Sequence, residues 1–160
     1  MIVLDGISDV PPAARGGGFA IGNFDGVHRG HQALLHAAKQ CAAELGAPAG
    51  AILFEPHPRE FFEPDKPHFR LTPLKRKLEL FEEFGVDVAV VLTFDAALAR
   101  LTAQDFVERV VVEALAARHI VIGYNFRFGK GRAGDAETLR RASRALGFGV
   151  TVVPQVGEAG

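Results

Sequence analysis

Short, almost wholly apolar segments alternate along this chain with longer segments of helical periodicity. The apolar segments predict strands within residues 1–18 and at Phe19–Gly22, Gly50–Phe54, Val86–Leu92, His119–Gly123 and Gly149–Val153. The periodic segments predict helices at Gly30–Leu45, Pro73–Phe84, Thr102–Ala116 and Gly134–Leu146, and an irregular loop is expected at Pro56–Thr72. Apolar strands that alternate with helices predict an α/β fold, in which a doubly wound parallel sheet is covered on both faces. Ligands of such sheets bind at the carboxyl ends of the strands.

Size, charge and cysteine content restrict the number of domains, the kinds of partner and the cellular compartment that we expect for this chain. The 160 residues correspond to about one domain. A formal net charge of −1 gives no reason to expect a nucleic-acid or membrane partner, and no apolar run approaches the ~20 residues of a membrane span. The N-terminal residues lack the features of a signal peptide. The single cysteine, Cys41, fits a reducing cytoplasm and lies at helical spacing from Leu34, Ala38 and Leu45, so we expect it to pack in the core.

The most informative motif runs from Gly22 to His31, between a predicted strand and a predicted helix. Such a turn directs free backbone N–H groups and the positive helix end at one point, which suits a phosphate. Gly22 and Gly26 allow close approach of the backbone. His28 and His31 lie three residues apart, on one side of the first helical turn, where both can donate hydrogen bonds to the same phosphate oxygens.

Two other residues of this motif have open interpretations. Phe24 either packs beneath the loop or contacts a nucleotide. Asp25 either helps to hold Mg²⁺ or serves as a turn or helix-capping acid. No third His or Cys stands at a spacing that would favour a zinc site with the two histidines, and no Ser/His/Asp or Cys/His constellation is evident.

Two more motifs also follow predicted strands. Phe54-Glu55-Pro56-His57-Pro58, with Phe61 and Phe62 close behind, predicts a stiff loop with apolar walls that suit a flat ring. The segment Gly123 to Arg132 carries an amide, Asn125, an aromatic ring, Phe128, and the cations Arg127, Lys130 and Arg132. Because all three motifs follow strand ends, we expect them to meet at one edge of the sheet.

These motifs resemble those of the nucleotidylyltransferase superfamily, which has a Rossmann-like sheet. Gly22 to His31 contains its His-x-Gly-His signature, and the longer form Gly-Asn-Phe-Asp-Gly-Val-His-x-Gly-His-Gln resembles the FAD synthetase branch. That branch is the FMN adenylyltransferase domain of bacterial bifunctional riboflavin kinase/FAD synthetases. The segments Phe-x-Pro-His-Pro and Asn-Phe-x-Phe-Gly are similar to further motifs of the same branch.

The resemblance implies a role for each matching residue. Catalysis is expected of His28, His31 and Asn125. ATP binding is expected of Gly22, Asn23, Phe24, Asp25, Gly26, His28, Gly30, His31 and Arg132, and flavin binding of Pro56, His57, Pro58, Phe62, Asn125, Arg127 and Phe128.

The implied reaction is transfer of AMP from ATP to FMN, which yields FAD and pyrophosphate, with Mg²⁺ held by the phosphates and possible help from Asp25. The family's Ser/Thr-x-Ile-Arg segment, which contacts ATP, is not found in residues 154–160. We therefore expect residues 1–160 to be an FMN adenylyltransferase domain truncated before that motif and before the riboflavin kinase barrel. Alternatives are a different adenylyltransferase, or a non-catalytic flavin- or nucleotide-binding module.

Overall fold

The fold is taken from a computed structural model, which describes residues 1–24, 29–56, 58–65 and 73–155, apart from the side chains of residues 29 and 59. The six strands are β1 (Ile2–Asp5), β2 (Gly18–Ile21), β3 (Ala49–Glu55), β4 (Val88–Thr93), β5 (His119–Gly123) and β6 (Gly149–Val153). The α-helices are α1 (Arg29–Leu45), α2 (Pro58–Phe62), α3 (Leu74–Glu83), α4 (Ala96–Arg100), α5 (Ala103–Phe106) and α6 (Ala136–Leu146). A π-helix, Val107–Ala114, continues α5, and short 3-10 helices lie at Pro12–Ala14 and Lys130–Arg132.

The strands form one parallel sheet in the order β1-β4-β3-β2-β5-β6. From β2 the chain moves outward through β3 to β4 on one side, and then through β5 to β6 on the other. The order therefore reverses between β2 and β5, which are hydrogen-bonded neighbours. In an open α/β sheet such a reversal opens a crevice at the carboxyl ends of the strands. The predicted doubly wound parallel fold is confirmed.

Alternate residues of the strands enter two separate hydrophobic clusters, one on each face of the sheet. On β3, for example, Ile52 joins the cluster beneath the π-helix and α6, whereas Leu53 joins the cluster beneath α1 and α3. Both side chains are fully buried. Because both faces are covered, the strands have nearly continuous apolar sequences, which is why they are recognisable in the sequence.

Cys41 lies on α1 and packs at the margin of the second of these clusters, where its Sγ is 3.9 Å from Thr151 Oγ1. The expected packing role therefore agrees with its position. The same hydroxyl lies 2.7 Å from His119 Nε2. Burial of this imidazole lowers the pKa of His119, and the carboxylate of Glu44 opposes that shift.

Two of the predicted elements need correction, and one helix was not predicted. The expected loop Pro56–Thr72 contains helix α2, and α4 was not predicted. The helix predicted at Thr102–Ala116 changes type: Phe106 N–H donates to Thr102 four residues back, whereas Leu115 N–H donates to Val110 five residues back. Hydrophobic periodicity does not distinguish these two hydrogen-bond patterns, so the change was invisible in the sequence.

The helix predicted to begin at Gly134 begins at Ala136, because Asp135 is its N-cap. The carboxylate of Asp135 accepts hydrogen bonds from the backbone N–H and the hydroxyl of Thr138, both at 3.0 Å. At the other end, Gly147 has a φ of 83° and closes the helix in the left-handed conformation. Thr102 similarly accepts a hydrogen bond from Asp105 N–H at 3.1 Å, as its sequence predicted.

Candidate active site

A cavity of about 1140 Å³ lies at the carboxyl ends of the central strands. It sits over the point where the strand order reverses, between β2 and β5. Its described lining comes from four strand ends, from the first turn of α1, from α2 and α4, and from the segment after β5. All three sequence motifs contribute to it, as expected from their positions after strands.

One edge of the cavity is formed by the end of β2 and the beginning of α1. Gly22, Asn23, Gly30 and His31 line this edge. Gly22 N–H is bound to Ile52 O at 3.1 Å, which fixes the turn against β3. The Oδ1 atom of Asn23 is buried and makes no hydrogen bond within the part of the chain that the structure describes. A buried acceptor without a donor is costly, so this edge is suited to a ligand that brings an N–H or O–H group.

Phe24 does not line the cavity within the described part of the chain. Its side chain is 3% exposed and belongs to the hydrophobic cluster beneath α1 and α3. Of the two interpretations left open by the sequence, packing beneath the loop matches the position of the ring.

Phenylalanine rings form the opposite wall. Phe54 lies 6.0 Å from Phe94 and 6.2 Å from Phe106, and Phe106 lies 5.7 Å from Phe128. Phe126 is stacked on Phe128 at 6.0 Å, with only 12° between the ring planes. All five rings line the cavity. The wall is therefore apolar, flat in places and rigid, as a planar aromatic ligand requires.

Helix α2 adds an exposed aromatic side chain to this wall. Phe62 is 63% exposed and lines the cavity, and its ring is 5.8 Å from Phe94. Phe61 supports both rings, at 5.1 Å from Phe62 and 5.5 Å from Phe94. Pro58, the first residue of α2, also lines the cavity, whereas Pro56 is exposed and is not among its described lining residues.

The segment after β5 folds back on itself and is held against α4 and α5. Phe128 and Gly134 form a two-way bridge, with N–H···O distances of 3.1 and 2.8 Å, and Lys130 N–H donates to Leu101 O at 2.7 Å. A Cβ on Gly129 would stand 2.6 Å from Ala103 N, so the backbone approach here requires glycine. We call residues 128–134 the bridged loop. Arg132, within this loop, lines the cavity.

Arg127 lines the cavity and lies 4.0 Å from Asp135, measured between Nη1 and Oδ2. The pKa of Asp135 is lowered, chiefly by its hydrogen bond from the Thr138 backbone and to a smaller extent by Arg127. The Asp135 carboxylate is therefore a charge partner for the Arg127 guanidinium beside the cavity. Asn125 also lines the cavity, on the exposed turn just after Gly123.

The structure thus brings together most of the residues predicted for the site. Those that line the cavity are Gly22, Asn23, Gly30, His31, Pro58, Phe62, Asn125, Arg127, Phe128 and Arg132. Asp25, Gly26, His28 and His57 lie outside the described residues. Phe128 is only 6% exposed, because Phe106 and Phe126 cover it, so Phe126 and Phe62 present more ring surface to a ligand.

Four rings of the wall were missed as site residues: Phe54 and Phe126, which lie within the motifs, and Phe94 and Phe106, which lie outside them. The signal for Phe94 was its position after the apolar run of β4, since the carboxyl end of every strand faces the same edge. Phe106 had no such signal, because it lies in helix α5 and does not follow a strand. Only long-range packing brings its ring to the wall.

Among the described residues there is no cluster of three or more His, Cys, Asp or Glu side chains that could hold a metal ion. Within the same residues, no helix is long and apolar enough to cross a membrane.

A family model described as FAD synthetase matches residues 11–160. The chain belongs to the FAD synthetase family. The family resemblance carried by the three motifs is therefore confirmed.

A relative from Pseudomonas fluorescens, named bifunctional riboflavin kinase/FMN adenylyltransferase, is 41% identical over 156 residues, which are 98% of this chain and 50% of the relative. A protein of the same name from Escherichia coli strain K12 is 40% identical over 161 residues, which cover all of this chain and 51% of the relative. The chain spans about half the length of the curated relatives it matches.

Solved structures agree with the fold. A protein from Streptococcus pneumoniae described as a macrolide-efflux protein superposes with a TM-score of 0.82 at 28% identity, over 100% of this chain and 52% of the other. A pantoate-beta-alanine ligase from Francisella tularensis superposes with a TM-score of 0.61 at 14% identity, over 99% of this chain and 69% of the other. At that identity the second likeness concerns the fold alone.

Proposed function

We propose that this chain transfers AMP from ATP to FMN, with release of FAD and pyrophosphate. The observation that supports it best is that one continuous cavity joins the β2–α1 edge, where His31 lies in the first turn of a helix, with a wall of aromatic rings. A triphosphate at the β2–α1 edge and a flavin ring against the phenylalanines would place the two phosphate groups between them. Membership of the FAD synthetase family and the names of the relatives point to the same two substrates.

The reaction is a single displacement. An oxygen of the FMN phosphate attacks the α-phosphorus of ATP, a new P–O bond forms, and the bond from the α-phosphorus to the bridging oxygen of the β-phosphate breaks. The electron pair leaves with pyrophosphate. Since the FMN phosphate is already anionic, no general base is needed, and the protein acts by positioning and by charge stabilisation.

Side chains at the cavity have complementary roles in this scheme. The imidazole of His31 donates to the phosphate oxygens as negative charge moves toward the leaving group. Arg132 on the bridged loop offsets triphosphate charge, and Arg127 faces the FMN phosphate. Asn125 uses its amide to orient the FMN, either at its phosphate or at the ring. The family resemblance assigns His28 a share in catalysis, Asp25 and Gly26 a share in ATP binding, and His57 a place beside the flavin.

Mg²⁺ is proposed as a companion of ATP. When bound, it neutralises phosphate charge and orients the triphosphate. The described residues contain no carboxylate cluster for it, so the phosphate oxygens are its proposed ligands, with Asp25 as an additional candidate. Residues 1–160 are proposed to act as one adenylyl-transferring domain, with a riboflavin kinase domain in the longer chain, as in the relatives.

The proposal is tested by incubating the chain with ATP, Mg²⁺ and FMN and following FAD and pyrophosphate by chromatography. Equal amounts of the two products are expected. His31→Asn is expected to lower the rate of FAD formation by at least ~10²-fold, because a charge-stabilising donor is lost. His36→Asn is the matched control, since His36 is an exposed residue of the same helix. It is expected to keep the wild-type rate.

The alternatives predict different results. A different adenylyltransferase would release pyrophosphate with another phosphorylated acceptor and leave FMN unchanged. A binding module would take up FMN or ATP without turnover. Either result would overturn the proposed reaction, and a rate unaffected by His31→Asn would remove His31 from its mechanism.

A further inference from the structure

We infer that Phe24 is a positioning residue that fixes the imidazole of His31 at the phosphate edge of the cavity. This rests on the proposed function, because it gives His31 a position that matters for adenylyl transfer. The inference itself comes from the packing of Phe24, whose ring lies in the hydrophobic cluster beneath α1 and α3.

The Phe24 ring is in contact with three neighbours. Its centroid lies 5.5 Å from that of His31, with 50° between the planes, and 4.9 Å from that of Phe81, which meets it edge-on. Beneath it, a Cβ on Gly22 would stand 3.4 Å from the ring, which shows how closely the ring lies over that backbone. A ring enclosed by a backbone, an edge-on phenylalanine and an imidazole has little freedom to move.

The backbone of Phe24 is also unfavourable for its residue type. Its φ is 56°, in the left-handed region that bulky side chains rarely occupy. Glycine or asparagine would adopt this conformation more readily. A phenylalanine held there indicates that the ring contributes something the turn needs, and strain of this kind is characteristic of functional sites.

The contact with His31 explains what the ring contributes. His31 lines the cavity, whereas Phe24 lies in the core beneath it. One side of the imidazole is therefore supported by a buried ring. Because transfer of a phosphoryl group depends on donors that are in place before the charge develops, a supported imidazole acts without a reorganisation cost. Phe24 thus connects the hydrophobic core beneath α1 and α3 to the reacting phosphates.

The test compares Phe24→Leu with Phe81→Leu. Both remove one buried ring of the same pair and keep an apolar side chain, but the ring of Phe24 contacts His31, whereas the ring of Phe81 contacts Phe24. We expect Phe24→Leu to lower kcat for FAD formation about tenfold to a hundredfold while KM for ATP changes less than about threefold. Phe81→Leu keeps the contact between Phe24 and His31 and loosens the Phe24 ring only indirectly, so kcat should fall clearly less than in Phe24→Leu at a similar loss of thermal stability. Phe24→Met serves as a second variant if the leucine variant does not fold.

A second readout is independent of turnover. The ring-proton resonances of His31 in the folded chain should move on Phe24→Leu, because the ring current of Phe24 is lost, and should move clearly less on Phe81→Leu, which keeps that ring. Equal kcat values and equal His31 resonances in the two variants would overturn the inference. If the wild-type chain forms no FAD, the proposed function fails, and the resonances alone then decide whether Phe24 positions His31.

Discussion

Asn125 is a polar side chain that the turn after β5 brings to the cavity, and the next residue, Phe126, belongs to the aromatic wall. Asn125→Ala removes both the donor and the acceptor of the amide. We expect about a tenfold loss of FMN affinity, the equivalent of one hydrogen bond, with the affinity for a non-hydrolysable ATP analogue changed less than about threefold. Separate titrations, by flavin absorbance and by calorimetry, measure the two affinities.

Asn125→Asp is a second variant to compare with Asn125→Ala, because it keeps the shape of the side chain and replaces the N–H₂ donor by an anionic oxygen. If Asn125 donates to the FMN phosphate, the Asp variant should bind FMN more weakly than the Ala variant. An Asp variant with near-normal affinity would mean that the amide accepts from the flavin ring. Equal losses for both substrates in the Ala variant would contradict the placement of FMN beside Asn125.

Sequence analysis identified the site residues that directly follow strands. It did not identify those that only long-range packing brings to the cavity. Asn23, His31 and Asn125 were recognisable because a parallel sheet gathers its carboxyl ends at one edge. Phe24 stands in the same motif, yet its ring points into the core, and no local pattern distinguishes a ring beneath a loop from one that contacts a ligand. Phe106 reaches the wall through long-range packing against Phe54 and Phe128, which a single sequence does not reveal.

Among the elements, the bridged loop depends on close packing rather than on regular structure. A Cβ on Gly134 would stand 2.8 Å from Phe128 O and 2.8 Å from Ala103 Cβ. Gly134→Ala should therefore push the loop away from α5 and displace Phe128 and Arg132 together. We expect a loss of about 1–3 kcal/mol of unfolding free energy, as for other overpacked sites, and weaker binding of both FMN and ATP. Thermal denaturation and the two titrations measure these effects.

Gly131→Ala in the same loop is the control. Gly131 has a φ of 64°, and a Cβ there would meet nothing within 4 Å. The substitution adds local backbone strain of about 1 kcal/mol without a clash. Binding should therefore be weakened clearly more by the Gly134 variant than by the Gly131 variant. Equal effects on binding would show that the packing against Ala103 does not position the loop.

The elements missed by sequence analysis share a physical cause. Helices α2 and α4 have five residues each, too few for a periodic pattern. Helix α2 also begins with a proline, whereas α4 consists of good helix formers and was missed because it is short. They form because Phe61 and Phe62 pack on Phe94 and because Asp95 caps α4, accepting from Leu98 N–H at 2.9 Å. Long elements, such as α1 and β4, were found because their own burial pattern determines them.

In the whole molecule, a single sheet separates two hydrophobic clusters and contributes side chains to both of them. The reversal of strand order puts the cavity at the centre of that sheet, so the candidate site is supported by both clusters: Phe54 and Phe106 belong to one, and Phe24 with Leu34 to the other. The chain alternation predicted this parallel sheet, but not which strands would be neighbours. A preference for right-handed crossovers restricts the possible strand orders but does not select one of them.

The shared sheet leads to a prediction about cooperativity. Ile52 and Leu53 are adjacent on β3, both fully buried, and point to opposite clusters. Ile52→Ala and Leu53→Ala should each lower the free energy of unfolding by about 2–5 kcal/mol. Because β3 carries both clusters, each variant should still unfold in one transition. Denaturant titration by circular dichroism gives the free energies, and hydrogen exchange, read separately in α1 and α6, reports on the two faces. Both helices should lose protection together in both variants. Loss of protection confined to the helix on the mutated face would mean that the two clusters unfold as separate units. The sheet beneath the cavity between β2 and β5 would then not be a single rigid support.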